Sequence, residues 1–247
     1  MSKTFRVPQV ADGVCFGPGL ALSDMILLAA DTSGKHGSIA LARVQQDSLE
    51  TLEVVPLAGG TFSAQLVPQI SALLAKHGFR KQDVAGFAVA SGPGSFTGLR
   101  VGLAAIKALA EIFKKPIATV SLLEAVARSG KLRRRVLAAL DAGRGEVYVG
   151  EYLVEDAATT LAERLLTREE FLVEARGTPV ATPDRTIADL ARQAGLSVEE
   201  VPRPTSATIA QFGWEKIRSG RTISVQQLDA NYIRRSDAET FSGRSNS

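Results

Sequence analysis

The residues best suited to bind an anion lie at 91–98, where the sequence reads SGPGSFTG. An apolar segment, residues 84–90, stops at this run, and a helical pattern of apolar residues begins directly after it. Glycines let a backbone approach a ligand closely, and the first turn of a helix offers unpaired amide groups. Ser95 is a suitable cap for that helix. The pattern predicts a nucleotide or phosphate cleft that includes Gly92 and Gly94.

This glycine run lacks the signatures of two common nucleotide-binding loops. No Gly-Lys-Ser/Thr closes it as in a P-loop, and its glycines do not have the GxGxxG spacing of a dinucleotide site. A tight turn, whose glycines serve only to pack the strand against the helix, explains the same residues. Both interpretations stay open at this point.

Two aspartates end strand-like segments in corresponding parts of the two halves of the chain. Asp31 precedes Ser33 in a turn that contains glycines, and Asp141 lies at the tip of a second hairpin. In actin-like ATPases and sugar kinases, hairpins of this type hold a metal or water through the aspartate and phosphate oxygens through turn amides and hydroxyls. The pattern favours a nucleotide-binding phosphotransferase that uses Asp31 and Asp141. In the simpler alternative, both carboxylates accept hydrogen bonds from turn amides.

The sequence offers little material for a metal centre or a hydrolase. The single cysteine, Cys15, excludes an internal disulfide and a multi-cysteine zinc site. The two histidines, His36 and His77, form neither an HExxH nor an HxxxH pair, and spacing places neither of them beside Ser33 or Ser95. We therefore expect no metal site, no zinc peptidase and no serine hydrolase.

Length and composition are typical of a soluble α/β protein. The 247 residues are 45% hydrophobic and 22% charged, with a net charge of +3. No stretch reaches the roughly 20 apolar residues that span a membrane, so we expect a cytoplasmic protein without membrane contact. Basic clusters at 131–135 and 234–235 permit contact with RNA, although such clusters are usually solvated.

The elements that must position the candidate residues follow a similar order twice. Each half begins with a hairpin whose first strand ends in an aspartate, and helices follow it. We expect an α/β fold with an N-terminal lobe at 25–122 and a C-terminal lobe at 123–239. Residues 1–24 mix glycine and proline without a period and are expected to form a loosely ordered extension; residues 240–247 are expected to be a polar tail.

The helix predicted at 98–113 carries apolar residues around most of its circumference, so it must be buried on two sides. One side would meet the sheet, and the other would meet the helix predicted at 62–77 or a different subunit; complete burial within this chain is the alternative. We expect a partner interface formed by the apolar residues Leu66, Ile70, Leu73, Leu103, Ile106, Leu109 and Phe113. Such faces also favour a homodimer of the isolated chain.

Five motifs in order resemble the TsaB (YeaZ) family. They are ILLAADTS at 26–33, SGPGSFTGLRVGL at 91–103, KALA at 107–110, VSLLE at 120–124 and LDAGRGEVY at 140–148. Residues 231–239 are similar to the closing motif of that family. The resemblance implies two RNase H-like lobes of the actin/Hsp70/sugar-kinase (ASKHA) superfamily.

The resemblance also implies a non-catalytic subunit in the synthesis of threonylcarbamoyladenosine in tRNA. Such a subunit pairs with a TsaD-type transferase and activates it; a TsaE-type ATPase joins the pair, and tRNA is contacted indirectly through the complex. TsaD binds its metal through an HxxxH pair, whereas the corresponding residues here, 61–68, include no histidine. The implied subunit needs no cofactor of its own and has no catalytic residue, while binding of ATP or ADP in the complex is left open. The residual cleft would be Asp31, Ser33, Gly92, Gly94, Ser95 and Asp141.

Overall fold

The first half of the chain forms a five-stranded sheet with two helices. The structure is a computed structural model that describes residues 25–45, 48–231 and 233. The elements are β1 (Ile26–Asp31), β2 (Gly37–Gln45), β3 (Ser48–Leu57), α1 (Phe62–Lys76), β4 (Val84–Gly92), α2 (Phe96–Phe113) and β5 (Ile117–Ser121). The strand order is β3-β2-β1-β4-β5. Strand β2 is antiparallel to both of its neighbours, β1 and β3, while β4 pairs in parallel with β1 and β5 pairs in parallel with β4.

The second half repeats this plan. Its elements are α3 (Leu122–Ser129), β6 (Arg134–Gly143), β7 (Glu146–Val154), β8 (Ala158–Thr167), α4 (Arg168–Glu174), β9 (Val180–Thr182), α5 (Arg185–Gln193), β10 (Val198–Glu200) and α6 (Ser206–Arg218). The strand order is β10-β9-β6-β7-β8, again with an antiparallel meander beside parallel strands. The repeated topology confirms the prediction of two related α/β lobes. The predicted extension, the polar tail, Cys15 and the basic pair at 234–235 lie outside the described residues.

Both faces of the first sheet are covered by helices, which explains why every residue of β1 is buried. Alternate strand residues point to α1 and α2 on one face, and the others point to α6 on the opposite face. In the second sheet, α3 covers one face and α4 with α5 covers the other. No helix in the described part of the chain is long and apolar enough to cross a membrane.

Helix α6 packs on the first sheet, although the predicted boundary places its residues in the lobe at 123–239. Its apolar side chains, Trp214 among them, lie in the core against β1, β2, β4 and β5, so the prediction of a core role for Trp214 is confirmed. Gly213 allows the close approach, because a Cβ there would lie 2.3 Å from Cβ of Ala88. A single boundary between two continuous segments cannot describe this arrangement, because the last helix of the chain packs on the first lobe.

Polar contacts between α3 and α6, which we call the α3–α6 junction, join the two lobes. Glu124 of α3 is only 5% exposed, and its Oε2 accepts a hydrogen bond from Nζ of Lys216 at 2.6 Å. The same ammonium donates to the carbonyl oxygen of Thr119 at 2.9 Å. Arg128 pairs with Glu215 at 2.5 Å, and its guanidinium lies 3.9 Å from the ring centroid of Phe212.

Removing the ammonium from this junction is expected to destabilise the protein. Lys216→Met leaves the Glu124 carboxylate buried without its partner, which costs about 3 kcal/mol in the free energy of unfolding. Urea denaturation measures the loss. Lys107→Met on α2 makes the same chemical change outside the junction and is expected to cost less than about 0.5 kcal/mol. Adding Glu124→Leu to Lys216→Met should recover part of the stability; a double variant weaker than the single one contradicts this account.

Candidate functional site

The glycines of the loop before α2 pack against this chain's own backbone. A Cβ on Gly94 would lie 2.3 Å from the carbonyl oxygen of Ser33, and one on Gly98 would lie 2.1 Å from that of Thr32. Ser95 N donates to Ser33 O at 2.6 Å, and Thr32 Oγ1 donates to Gly98 O at 2.7 Å. These distances explain why glycine is needed at both positions, and they support the interpretation of the run as a packing turn.

Ser95 is the cap of α2, as the sequence predicts. Its Oγ accepts a hydrogen bond from Gly98 N at 3.3 Å, which satisfies one amide of the first turn. Gly92 lies on the other side of the loop, with a left-handed φ of 116°, and a Cβ there would lie 3.1 Å from the carbonyl oxygen of Asn231. The loop is therefore flanked by protein on both sides.

Asp31 makes the local hydrogen bonds of an aspartate in a turn. Its Oδ1 accepts from Ser33 N at 2.9 Å and from Ser33 Oγ at 2.5 Å. Burial raises the pKa of the Asp31 carboxyl, although the bonds from Ser33 and the charge of Arg203 act in the opposite direction. Asp31, Ser33, Gly94 and Ser95 thus come together at the carboxyl ends of β1 and β4.

Asp141 lies at the tip of the β6–β7 hairpin and is exposed, unlike Asp31. Its Oδ1 accepts from Gly143 N at 2.9 Å, and its backbone N donates to Oδ2 of Asp184 at 2.9 Å. Both aspartates thus accept hydrogen bonds from backbone amides of their own turns, as the simpler alternative to a nucleotide site predicts.

Arg203 connects the surroundings of these two hairpins. Its guanidinium donates to Oδ1 of Asp184, while its positive charge acts on Asp31. Neither Arg203 nor Asp184 is among the site residues predicted from the sequence. Asp184 is separated from β9 by Pro183 and directly precedes α5, so its place between a strand and a helix is a signal that could have identified it. Arg203 lies in an irregular segment before α6, where no periodic pattern marks it.

The described ranges contain no group of three or more His, Cys, Asp or Glu side chains that could hold a metal ion. The charge of Arg203 acts on Asp31, and its guanidinium is bonded to Asp184, whose Oδ2 accepts from the backbone N of Asp141. A guanidinium neutralises carboxylates without offering a Lewis-acid site. Asp31, Asp184 and Arg203 can therefore interact with charged groups. Among the candidate site residues, no nucleophile is paired with a general base.

The side chains predicted to contact a partner are mostly inside the protein. Six of them lie in the core between α1, α2 and the first sheet, and Phe113 is partly buried against that core; the six are Leu66, Ile70, Leu73, Leu103, Ile106 and Leu109. Helical periodicity identified an apolar face correctly but could not tell which surface covers it. The exposed large apolar residues of the two helices are Val67, 41% exposed, and Ile112, 70% exposed.

Because the pKa of Asp31 is raised in the folded protein, the contribution of this carboxyl to stability should depend on pH. A carboxyl whose pKa rises on folding stabilises the protein below its unfolded pKa and loses that contribution as the pH rises through the folded pKa. Asp31→Asn resembles the protonated form, so its stability relative to the wild type should increase as the pH rises above about 4. Urea unfolding at a series of pH values measures this difference. Asp229→Asn, at an exposed site, is the control; a difference for Asp31→Asn that does not change with pH refutes the prediction.

Comparison with known proteins places these features in a family. The family described as TsaD, tRNA N6-adenosine threonylcarbamoyltransferase, matches residues 54–228. The TsaB protein of Bacillus subtilis is 30% identical over 230 residues, which cover 87% of this chain and 96% of that protein. The Escherichia coli TsaB protein is 27% identical over 223 residues, covering 85% and 95% of the two chains. Both relatives are called tRNA threonylcarbamoyladenosine biosynthesis proteins.

The fold agrees with a solved structure. YeaZ from Pseudomonas aeruginosa superposes with a TM-score of 0.67 at 24% identity, covering 84% of this chain and 99% of that one. The two lobes described above therefore have the fold of YeaZ, and the match to the TsaD family, over residues 54–228, extends across both of them. With similarity to TsaB proteins along most of its length and with the fold of YeaZ, the chain belongs to the TsaB (YeaZ) family.

Proposed function

We propose that this chain is a non-catalytic subunit in the biosynthesis of threonylcarbamoyladenosine in tRNA, and that it pairs with and activates a TsaD-type transferase. The observation that carries the proposal is the similarity to TsaB proteins over nearly their whole length. The relatives are named as biosynthesis proteins of this modification. A TsaE-type ATPase, indirect contact with tRNA and a place in the cytoplasm belong to the same proposal.

The absence of catalysis is supported by how the cleft is filled. The loop at 91–98 packs on residues 31–33, and the positive charge of Arg203 acts on Asp31 while its guanidinium is bonded to Asp184. A phosphotransferase needs room for a phosphoryl group beside an aspartate that can hold a metal. Here Asp31 is buried and bonded to Ser33, which supports the proposal that the chain requires no cofactor of its own.

The pairing surface is the outer side of α1 and α2. The two helices pack side by side on the first sheet and leave Val67 and Ile112 exposed, with Val101 and Ala105 partly exposed. The TsaD family matches residues 54–228, which include both helices, so a TsaD-type partner has equivalent helices to offer. Two related helix pairs can meet around an approximate two-fold axis, which is the commonest way for similar folds to associate. The same surface allows a homodimer when the partner is absent.

Activation in this proposal is a shift in the conformations of the partner. A subunit that binds one conformation of the transferase more tightly raises its population by that difference in affinity. This chain then contributes binding energy and adds no reacting group. Binding of ATP or ADP in the complex would involve groups of the transferase.

Placing a charge on the pairing surface is expected to prevent pairing and leave the fold intact. Ile112→Glu should weaken binding to the TsaD-type partner at least about tenfold, because a buried unpaired carboxylate opposes an apolar contact. Co-purification and titration of the two proteins measure the loss, and formation of the modified adenosine should fall with it. Leu103→Glu is unsuitable, because Leu103 is 6% exposed and its replacement would disrupt the core.

Val173→Glu is the matched control for this experiment. Val173 is 61% exposed but lies on α4 of the second lobe, so its variant should bind the partner as the wild type does. Normal co-purification of Ile112→Glu shows that the pairing surface lies elsewhere.

The alternative function is a nucleotide-binding phosphotransferase that uses Asp31 and Asp141. It requires saturable binding of Mg-ATP by the isolated chain, and loss of that binding in Asp31→Asn and Asp141→Asn. We expect calorimetric titration to give no saturable heat and a phosphate-release assay to give no turnover above background. Turnover that disappears in the two variants favours the phosphotransferase and excludes the non-catalytic proposal.

A further inference from the structure

One carboxylate collects hydrogen bonds from three separate parts of the chain. Glu163 lies on β8, the edge strand of the second sheet, and its Oε1 accepts from Ser121 Oγ at 2.5 Å and from the hydroxyl of Tyr152. Its Oε2 accepts from Nδ2 of Asn231. Burial, followed by the charge of Glu163, raises the pKa of Tyr152, so the phenol keeps the proton that it donates.

Ser121 marks the point where the chain leaves the first lobe. It is the last residue of β5, and its Oγ accepts from Leu123 N at 3.2 Å and so caps α3. Tyr152 is fully buried in the core of the second lobe, on β7. Through these two donors, the Glu163 carboxylate connects the crossing between the lobes to the second sheet.

The third donor belongs to the segment that follows α6, residues 219–231, which we call the C-terminal strap. The strap is bonded to the first lobe by Ile223 N, which donates to Ile117 O at 3.0 Å, and Leu228 is buried in the core under α1 and α2. At its end, Asn231 N donates to Ser91 O at 2.8 Å. Beyond it, Ile233 packs against the core of the second lobe. The strap thus passes from one lobe to the other at Asn231.

We propose that Glu163 is a latch that fixes the angle between the two lobes by holding Asn231 and Ser121 against the second sheet. Folds of two lobes around a cleft commonly change shape by rotation about the segments that connect the lobes. Here two of the three segments that connect the lobes, the β5–α3 crossing and the C-terminal strap, donate to one carboxylate, while the third runs from β10 to α6. A charged acceptor makes such bonds stronger than neutral ones. The chain therefore behaves as a rigid body, whether or not it pairs with a transferase.

The experiment measures the distance between the lobes in the full chain. Spin labels are attached through Gln69→Cys on α1 and Thr186→Cys on α5, two exposed positions, with Cys15→Ser in the background. Pulsed electron resonance gives the distribution of the label-to-label distance, and hydrogen exchange gives the protection of the Asn231 amide. The wild type is expected to show one narrow distribution and a protected amide.

Asn231→Asp should break the latch, because it places a second carboxylate beside that of Glu163. It should broaden the distribution and speed exchange of this amide at least about tenfold, since like charges at contact repel strongly in a partly buried site. Adding Glu163→Gln should restore both signals, because the new amide can accept from Ser121 and Tyr152 with its oxygen and donate to the new carboxylate with its nitrogen. A general loss of structure would not be repaired by a second substitution of this kind.

Two further variants complete the test. Asp229→Asn, on the same strap, changes a carboxylate that accepts from Ala230 N, and it should leave both signals unchanged. Tyr152→Phe keeps the ring in the core and removes one donor, so it should give a smaller loss of protection than Asn231→Asp. The proposal is overturned if Asn231→Asp matches the wild type in both measurements, or if Glu163→Gln fails to improve on the single variant.

Discussion

The first sheet is apolar on both faces, and this constraint governs the arrangement of the other elements. A strand such as β1, in which every residue is buried, is stable only when helices cover both sides of its sheet. Helices α1 and α2 cover one side. The other side, lined largely by alanines, is covered by α6, which follows the whole second sheet in the sequence. The second lobe is thereby inserted between two parts of the first, and the α3–α6 junction and the strap follow from this connectivity.

The same close packing accounts for the character of the cleft. Residues 31–33 occupy the space that the glycines of the loop leave open, and the hydroxyl of Thr32 and the carbonyl of Ser33 use hydrogen-bonding groups of the loop and of α2. At the start of α2, Ser95 N donates to Ser33 O and Gly98 N donates to Ser95 Oγ, so these two amides are bonded within the chain and are not free to bind an anion. The features that indicate a nucleotide site in the sequence thus serve the packing of one lobe in the structure.

Local patterns in the sequence predicted the elements well. Both hairpins and the Ser95 cap come from short-range rules of turns and helix starts, and they are in place. Three features were beyond such rules. The burial of Leu66 and Leu103 depends on which surface covers an apolar face, and the position of α6 depends on a sheet far away in sequence. Arg203 acts through charge across the cleft from an irregular segment, where periodicity carries no information.

The return of α6 to the first sheet also has a consequence for how the protein is made. The strands of the first lobe leave the ribosome early, but one face of their sheet stays uncovered until residue 218 has been synthesised. Contacts between such distant parts of a chain slow folding, because a long loop must close before they form. During synthesis, an alanine-rich apolar surface is exposed to other nascent chains and to chaperones. The synthesis of α6, after the second sheet is complete, is therefore the event that covers this surface and protects the first lobe from aggregation.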